Sequence, residues 1–287
     1  MIHLPLWVEA EQDPGRQVFR QAVHLVLRAI AQSEVLAPTM IMKGGILLAI
    51  RYRSTRYTRD IDFSTSRRFQ LQEVPRLLQA VESALAPVSA DNEYGLALRL
   101  QSHVIKPPPR PDISFPTLQL RVGYASRQQP AAMRRLMAQG VPTLVSVDYS
   151  FNEWVTAIEE QPVDGGALRM YPFHDLVAEK YRSVLQQVVR KRERYQDIYD
   201  LNLLLNSVES MTFEDRAAIL GKLRSACRDR LEEPDRLALQ DPRIVALSQA
   251  QYGSALPQLV ADHLPPFDVA YGLVREFYES LPWDKPA

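Results

Sequence analysis

Cysteine is almost absent from the sequence, which contains Cys227 alone among 287 residues. A single cysteine cannot form an internal disulfide bond. The five histidines lie too far apart in the sequence to indicate a zinc cluster. This pattern is consistent with a reducing compartment, so we expect a cytoplasmic protein.

Long apolar runs are also missing. No stretch approaches the roughly eighteen uninterrupted apolar residues that a membrane helix needs. The N-terminus lacks a basic region followed by an apolar run with a small-residue cleavage site. We therefore expect neither secretion nor a membrane span.

The sequence has no excess of either charge, because 34 lysines and arginines balance 34 aspartates and glutamates. No global basic field would attract the protein to nucleic acid or to an anionic membrane, so any polyanion must be bound by a local patch. Apolar residues make up 46% and charged residues 24%, which is typical of a globular protein. The length allows one large domain or, as we expect, two modest ones.

Apolar periodicity predicts a mixed α/β arrangement in the first part of the chain. A helix over 15–33 precedes a short strand at 39–42, the glycine pair Gly44 and Gly45, and a second helix. A basic loop over 51–59 then leads into a strand over 60–64. A helix over 71–85 follows, and strands are predicted at 96–104, 118–124 and 143–151, with a proline-rich loop over 106–111.

Beyond a predicted linker at 162–166 the pattern becomes almost wholly helical. Helices are predicted at 173–189, 194–206, 212–231, 242–252 and 268–281. We therefore predict a mixed α/β sheet with flanking helices in a first domain over 1–165, followed by a helical domain over 166–287.

Two carboxylates carry the chemical hypothesis. Asp60 and Asp62 are two residues apart on a predicted strand, so they project from one face about 7 Å apart. A divalent cation would remove their repulsion, and oxygen ligands on a rigid strand suit Mg²⁺. Asp148, on the polar face of the last predicted strand, is a candidate third carboxylate with nearby Glu153 as the alternative. Asp148 would serve as general base or as a shared metal ligand.

The glycine pair is a candidate phosphate site, because Gly44 and Gly45 let a phosphate approach the backbone at a helix N-terminus. Taken singly, each feature has an ordinary structural explanation. A Gly-Gly between strand and helix is more often a simple turn, and an Asp-Ile-Asp is more often a solvated strand face. The combination, in the order needed to place a triphosphate against a metal ion, favours the functional interpretation.

The segment from Lys43-Gly44-Gly45 to Thr58-Arg59-Asp60-Ile61-Asp62-Phe63 resembles the signature of the AbiEii/AbiGii nucleotidyltransferase toxin family, within the polymerase-beta-like nucleotidyltransferase superfamily. A second segment is similar to the family's later motifs: Glu179-Lys180-Tyr181-Arg182, then Arg194-Tyr195-Gln196-Asp197-Ile198-Tyr199-Asp200-Leu201. The resemblance covers roughly residues 40–205. Two motifs in order are far more specific than either alone.

The resemblance implies that the domain over 1–165 is a catalytic domain with a nucleotidyltransferase-type mixed sheet. It also implies transfer of a nucleoside monophosphate from an NTP to an acceptor, with Asp60 and Asp62 holding Mg²⁺. It implies that Lys180 binds the triphosphate together with the Lys43-Gly44-Gly45 segment, and that Asp197 positions Lys180 or the nucleotide. Without the family, Lys180 would be a solvated helix residue paired with nearby Glu179 or Asp175. Asp197 and Asp200 would form salt bridges to Arg192, Arg194 or Arg182. Ile46 stands where many superfamily members have a serine, and Gln196 stands where a basic residue is often found.

Three functions follow from these observations. The leading one is a toxin that modifies RNA, as the tRNA-modifying members of the family do, and that a cognate antitoxin neutralises. The others are nucleotidyl transfer to a small hydroxyl compound and a catalytically inactive binding module. Six arginines near Asp60 are candidate contacts to acceptor phosphates: Arg51, Arg53, Arg56, Arg59, Arg67 and Arg68. A second basic group comprises Arg182, Arg190, Lys191, Arg192 and Arg194.

Overall fold

A computed structural model of the chain describes residues 2–109, 114–153, 155, 157–228 and 233–284. The chain divides into two compact units. The N-terminal unit comprises Met1–Arg51 and Arg59–Tyr171, and the C-terminal unit comprises Tyr52–Thr58 and Pro172–Ala287. The short segment 52–58 therefore belongs to the C-terminal unit, although the residues on both sides of it in the sequence belong to the N-terminal unit.

The N-terminal unit is a mixed α/β structure. Its helices are α1 (Leu4–Glu9), α2 (Pro14–Gln32), α3 (Gly44–Arg51), α4 (Val74–Ala90) and α5 (Pro130–Met137), with a 3-10 helix at Leu71–Glu73 before α4. Its strands are β1 (Ile41–Lys43), β2 (Asp60–Ser64), β3 (Leu96–Lys106), β4 (Thr117–Ser126), β5 (Leu144–Ser150), β6 (Glu159–Val163) and β7 (Gly166–Met170). The seven strands form one sheet in the order β3-β4-β5-β2-β1-β7-β6.

Strand direction in this sheet is mixed. β2 pairs parallel with β5 and antiparallel with β1, while β1 pairs parallel with β7. The remaining neighbours, β3 with β4, β4 with β5 and β6 with β7, are antiparallel. β2 therefore lies inside the sheet with a partner on each side.

Helices α2 and α4 pack on one face of the sheet. Leu120 and Val122 of β4 and Val147 of β5 lie beside Val26 of α2 and Val81 of α4, and all five side chains are buried. Because successive side chains of a strand point to opposite faces, the residues between them belong to the other face. These include Gln119, Arg121, Ser146 and Asp148.

The C-terminal unit is helical. It contains α6 (Phe173–Leu185), α7 (Gln187–Arg190), α8 (Tyr195–Asn206), α9 (Phe213–Cys227), α10 (Pro242–Gln249) and α11 (Phe267–Glu279), with 3-10 helices at Ala238–Gln240 and Leu256–Gln258. Its core centres on Tyr181, whose ring packs 5.2 Å from that of Tyr278 and whose hydroxyl donates a 2.8 Å hydrogen bond to the carbonyl of Val274. Tyr181 is fully buried, so its hydroxyl requires such a partner.

The predicted fold class, a mixed sheet followed by helices, is confirmed. The predicted linker at 162–166 is instead the tight end of the β6–β7 hairpin, where Asp164 and Gly165 adopt positive φ. The helix predicted at 173–189 is divided into α6 and α7, and α1, α5, β6 and β7 have no counterpart in the prediction. Residues 110–111 of the predicted loop and residues 229–231 of the predicted helix at 212–231 lie outside the described residues. None of the described helices combines the length and apolarity required to cross a bilayer.

One glycine of the hairpin is required for close packing. A Cβ at Gly166 would lie 2.8 Å from the backbone nitrogen of Gln32, at the C-terminal end of α2, and would overlap the carbonyl of Ala31. Gly166→Ala should therefore lower the free energy of unfolding of the protein by about 1–3 kcal/mol through overpacking, measured by urea denaturation. Gly221→Ala is the matched control, because a Cβ there has open space inside α9 and should stabilise by up to about 1 kcal/mol. Equal effects of the two changes would contradict the packing argument.

Candidate active site

The two acidic residues of β2 are held by the core. Ile61 and Phe63 are fully buried, while Asp60 is exposed and Asp62 half-buried. The alternation places both carboxylates on the face opposite the buried pair, as the sequence predicted. Since β2 is paired on both sides, its acidic face is fixed by two ladders of backbone hydrogen bonds.

Strand register extends this acidic face across the sheet. Asp148 of β5 is the direct partner of Asp62, and Ser146 is the direct partner of Asp60. On the other side of β2, Lys43 of β1 is the partner of Asp62. Directly paired residues of neighbouring strands project from the same face, so Lys43, Asp62 and Asp148 form one row.

β4 adds two polar side chains to the same face. Gln119, the partner of Asp148, donates its amide to both carboxylate oxygens of Asp148, at 3.0 and 2.9 Å. Arg121, the partner of Ser146, donates a hydrogen bond to the hydroxyl of Ser146. Burial raises the pKa of Asp148; the hydrogen bond from Gln119 opposes this, and the charge of Asp60 adds to it.

Gly44 provides the close approach between α3 and β2. It adopts φ 75° at the first position of α3. A Cβ at this position would lie only 2.7 Å from Cγ of Asp62. Both the positive φ and the contact exclude a side chain here, so the backbone at the start of α3 lies directly against a candidate metal ligand.

Lys43 has a structural contact in this face. Its ammonium forms a buried ion pair with the carboxylate of Glu153 and lies 5.7 Å from the ring centroid of Tyr171. The backbone N–H of Glu153 in turn donates to the carbonyl of Thr65, at 3.0 Å. Glu153 is therefore held by Lys43, whereas Asp148 lies in register with Asp62.

The three candidate metal ligands are all carboxylates on one face of the sheet. Asp60, Asp62 and Asp148 share a face, and carboxylates of this kind suit Mg²⁺. In the described part of the chain, however, no three histidine, cysteine, aspartate or glutamate side chains are grouped closely enough to hold a metal ion. Asp148 is bound to Gln119, so the three carboxylates are aligned by register but are not gathered around one point.

The second motif of the sequence lies within the C-terminal unit and forms a buried charge network. Nζ of Lys180 lies 2.7 Å from a carboxylate oxygen of Asp197 and 2.6 Å from one of Asp200. Arg56, from the 52–58 segment, donates to both oxygens of Asp200 at 2.8 and 2.7 Å. Gln196 accepts a 3.3 Å hydrogen bond from Arg56, so this departure from the family pattern contributes to the network.

The network keeps its members charged. Burial disfavours the ammonium of Lys180, but Asp197 and Asp200 outweigh it and raise the pKa of Lys180. Burial likewise disfavours the carboxylate of Asp200, but Arg56 and Lys180 outweigh it and lower the pKa of Asp200. The side chains form a compensated set, which buried charges require.

The basic residues predicted to contact an acceptor differ in their surroundings. Arg56 is buried against Asp200, and Arg51 forms an ion pair with Glu159. The structure thus contradicts the expectation that Arg56 faces an acceptor. Four of the six arginines are exposed, namely Arg53, Arg59, Arg67 and Arg68. In the second group Arg182 is buried and Arg194 lies 3.7 Å from Asp197, while Arg190, Lys191 and Arg192 are exposed.

Comparison with known proteins identifies the family of the chain. Residues 25–272 match the family described as nucleotidyl transferase AbiEii toxin, type IV toxin–antitoxin system. The chain belongs to the AbiEii family. Membership makes it a nucleotidyltransferase toxin, with a nucleotide substrate and an antitoxin partner.

Solved structures share the fold of this AbiEii protein. JHP933 from Helicobacter pylori has 17% sequence identity and a TM-score of 0.51, with 94% of each chain covered. A candidate nucleotidyltransferase from H. pylori has 15% identity and a TM-score of 0.52, with 96% of this chain and 100% of the other covered. None of the curated proteins compared with the chain matches it.

Sequence reasoning missed several residues around the AbiEii motifs. Gln119 and Arg121 lie on a strand that was predicted, but their place beside Asp148 and Ser146 depends on a β4–β5 register that periodicity does not supply. Arg56 was assigned to a basic loop whose arginines were candidate contacts to acceptor phosphates. Its partner, Asp200, is 144 residues away in sequence, and no local pattern identifies that pair.

The buried network gives a stability prediction. Arg56→Ala removes one cation from Asp200, whose side chain has no exposure, and should lower the free energy of unfolding of the protein by about 3–5 kcal/mol. Arg68→Ala, at an exposed position, should change it by less than about 0.5 kcal/mol. Chemical denaturation monitored by circular dichroism measures both. A small effect of Arg56→Ala would show that the ion pair is not maintained in solution.

Proposed function

We propose that this AbiEii protein transfers a nucleoside monophosphate from an NTP to an RNA acceptor, a tRNA, with Mg²⁺ held by Asp60 and Asp62. A hydroxyl oxygen of the acceptor forms a bond to the α-phosphorus, the bond from that phosphorus to the bridging oxygen of the β-phosphate breaks, and pyrophosphate leaves. We expect the reaction to take place in the cytoplasm, where both NTP and tRNA are available.

The observation that carries the proposal is the row formed by Asp62 and Asp148, with Asp60 on the same face and Gly44 against Asp62. It supplies oxygen ligands beside a helix start at which backbone N–H groups are available to phosphate. Mg²⁺ bound there would neutralise charge on the phosphate oxygens. Asp148 is either a further ligand or the base that takes the acceptor proton.

Nucleotide binding is assigned to Lys43, Gly44, Gly45 and Lys180, with Asp197 as the residue that positions Lys180. For Gly44 and Gly45 the support is their position at the start of α3, where Gly44 lies directly against Asp62. For Lys180 and Asp197 it is their 2.7 Å ion pair together with the family resemblance. For Lys43 the support is the family resemblance, since its ammonium is paired with the carboxylate of Glu153.

Asp60→Asn and Asp62→Asn should each lower nucleotidyl transfer by at least about 100-fold. Each change removes a negative charge that would hold the metal ion at the phosphates of the bound nucleotide. Pyrophosphate release from NTP measures the loss. Binding of Mn²⁺, followed by electron paramagnetic resonance, should weaken in parallel. The thermal midpoint of Asp60→Asn should not fall, since the Asp60 carboxylate is exposed and its repulsion with Asp62 is relieved.

Asp91→Asn is the matched control, an aspartate at an exposed position that follows α4 in the same unit. It should preserve transfer, metal binding and stability. Wild-type transfer that persists undiminished in both β2 variants would remove the site from Asp60 and Asp62. Loss of transfer without loss of Mn²⁺ binding would leave these aspartates essential but not as metal ligands.

The acceptor gives a separate prediction. With labelled NTP, Mg²⁺ and total RNA, the protein should label a band of tRNA size, and binding should weaken steeply with salt because phosphate contacts release counterions. Arg67→Ala with Arg68→Ala should weaken RNA binding and reduce the slope of log K against log salt by about one to two. Both arginines are exposed and follow β2 directly.

Arg134→Ala with Arg135→Ala removes two exposed arginines from α5 and serves as the equal-charge control. It should leave RNA binding closer to that of the wild type. A small hydroxyl compound remains the competing acceptor, because the net charge of the chain is zero. Transfer to such a compound, with no RNA labelled by any nucleotide, would refute the tRNA proposal while leaving the nucleotidyltransferase intact.

A further inference from the structure

The acidic face of the sheet contains a cation to which no role has been assigned. Arg121 of β4 is the partner of Ser146, and Ser146 is the partner of Asp60 across the next strand. The guanidinium reaches toward β5 and donates a hydrogen bond to the hydroxyl of Ser146. It is close enough to Asp148 for its charge to lower the pKa of that carboxyl.

Arg121 differs from other half-buried arginines of the N-terminal unit in its partners. Arg28, Arg51 and Arg169 each form an ion pair with a glutamate, namely Glu93, Glu159 and Glu160. Within the described ranges, Arg121 forms no ion pair at hydrogen-bonding distance, and its described side-chain contact is with a neutral hydroxyl. A guanidinium has five N–H donors, so most of its hydrogen-bonding capacity is available to a ligand.

The position of the Arg121 N–H donors on the sheet indicates which kind of ligand they bind. A guanidinium presents donors in a planar fork that matches the oxygens of a phosphate and binds them in pairs. The cation lies on the same face as Asp60, Asp62 and Asp148, where phosphate chemistry is proposed. We propose that Arg121 is a substrate-binding residue that contacts a phosphate group, from either the NTP or the RNA acceptor. This inference rests on the proposed function of the Asp60 face.

A different role for Arg121 is to offset the negative charge of the three carboxylates. The two roles predict different effects on phosphate binding. If Arg121 only offsets charge, its removal should tighten Mn²⁺ binding and leave binding of NTP and RNA unchanged. If it contacts a phosphate, removal should weaken one substrate in particular.

The test measures binding at equilibrium for the full chain, with a non-hydrolysable NTP analogue plus Mg²⁺ in one arm and tRNA without nucleotide in the other. Arg121→Ala should raise the dissociation constant of one of the two by about tenfold or more, since it removes a charge-assisted contact. Arg121→Lys retains the charge but not the fork, and should give an intermediate value. Arg99→Ala on β3 is the matched control, because the guanidinium of Arg99 donates to the carbonyl of Met137.

The arms identify the source of the phosphate. Weaker binding of the NTP analogue alone assigns Arg121 to the nucleotide, and weaker binding of tRNA alone assigns it to the acceptor. Unchanged binding of both, in a variant with a wild-type thermal melt, overturns the inference even if the wild-type protein is an active transferase. A wild-type protein that releases no pyrophosphate from any NTP refutes the proposed function instead, so the two failures are distinguishable.

Discussion

Burial of Ile61 and Phe63 is the constraint on which the candidate site depends. Both side chains have no exposure, and a shift of β2 by one residue would exchange them with Asp60 and Asp62. Placing two carboxylates in the core would cost far more than any gain in pairing. Burial of Ile61 and Phe63 therefore fixes the register of β2. This register places Asp60 and Asp62 on one face even though their carboxylates repel each other. The same register brings Asp148 of β5 and Lys43 of β1 beside Asp62.

Close approach at Gly44 has a second consequence for the site. The start of α3 can lie against Asp62 only because residue 44 has no side chain and tolerates φ 75°. Partial positive charge at a helix N-terminus is favourable beside a carboxylate and beside a phosphate. One backbone feature thus serves the folded protein without ligand and the proposed complex with nucleotide.

The sequence alone predicted the elements that depend on local pattern. The Asp-x-Asp strand alternates with period two, α2 has an apolar stripe with helical spacing, and the glycine pair marks the turn between β1 and α3. What it could not predict depends on long-range pairing. The β6–β7 hairpin was interpreted as a linker because Pro162, Asp164 and Gly165 have strong turn propensity, although the flanking residues pair with each other. Gln119 is a site residue only because β4 lies next to β5.

The distribution of positive charge limits how the protein can bind an acceptor. Several cations near the two motifs are already paired, including Lys43 with Glu153, Arg51 with Glu159 and Arg56 with Asp200. Their charge is compensated locally, so it adds little to a field that could attract RNA. Affinity for the proposed RNA acceptor would then come from a few exposed arginines, such as Arg67 and Arg68, and from groups that contact the reacting phosphate. A protein of zero net charge with so few contacts would bind RNA in general weakly, and recognition of one RNA class would rest on shape and on the geometry at the carboxylate face.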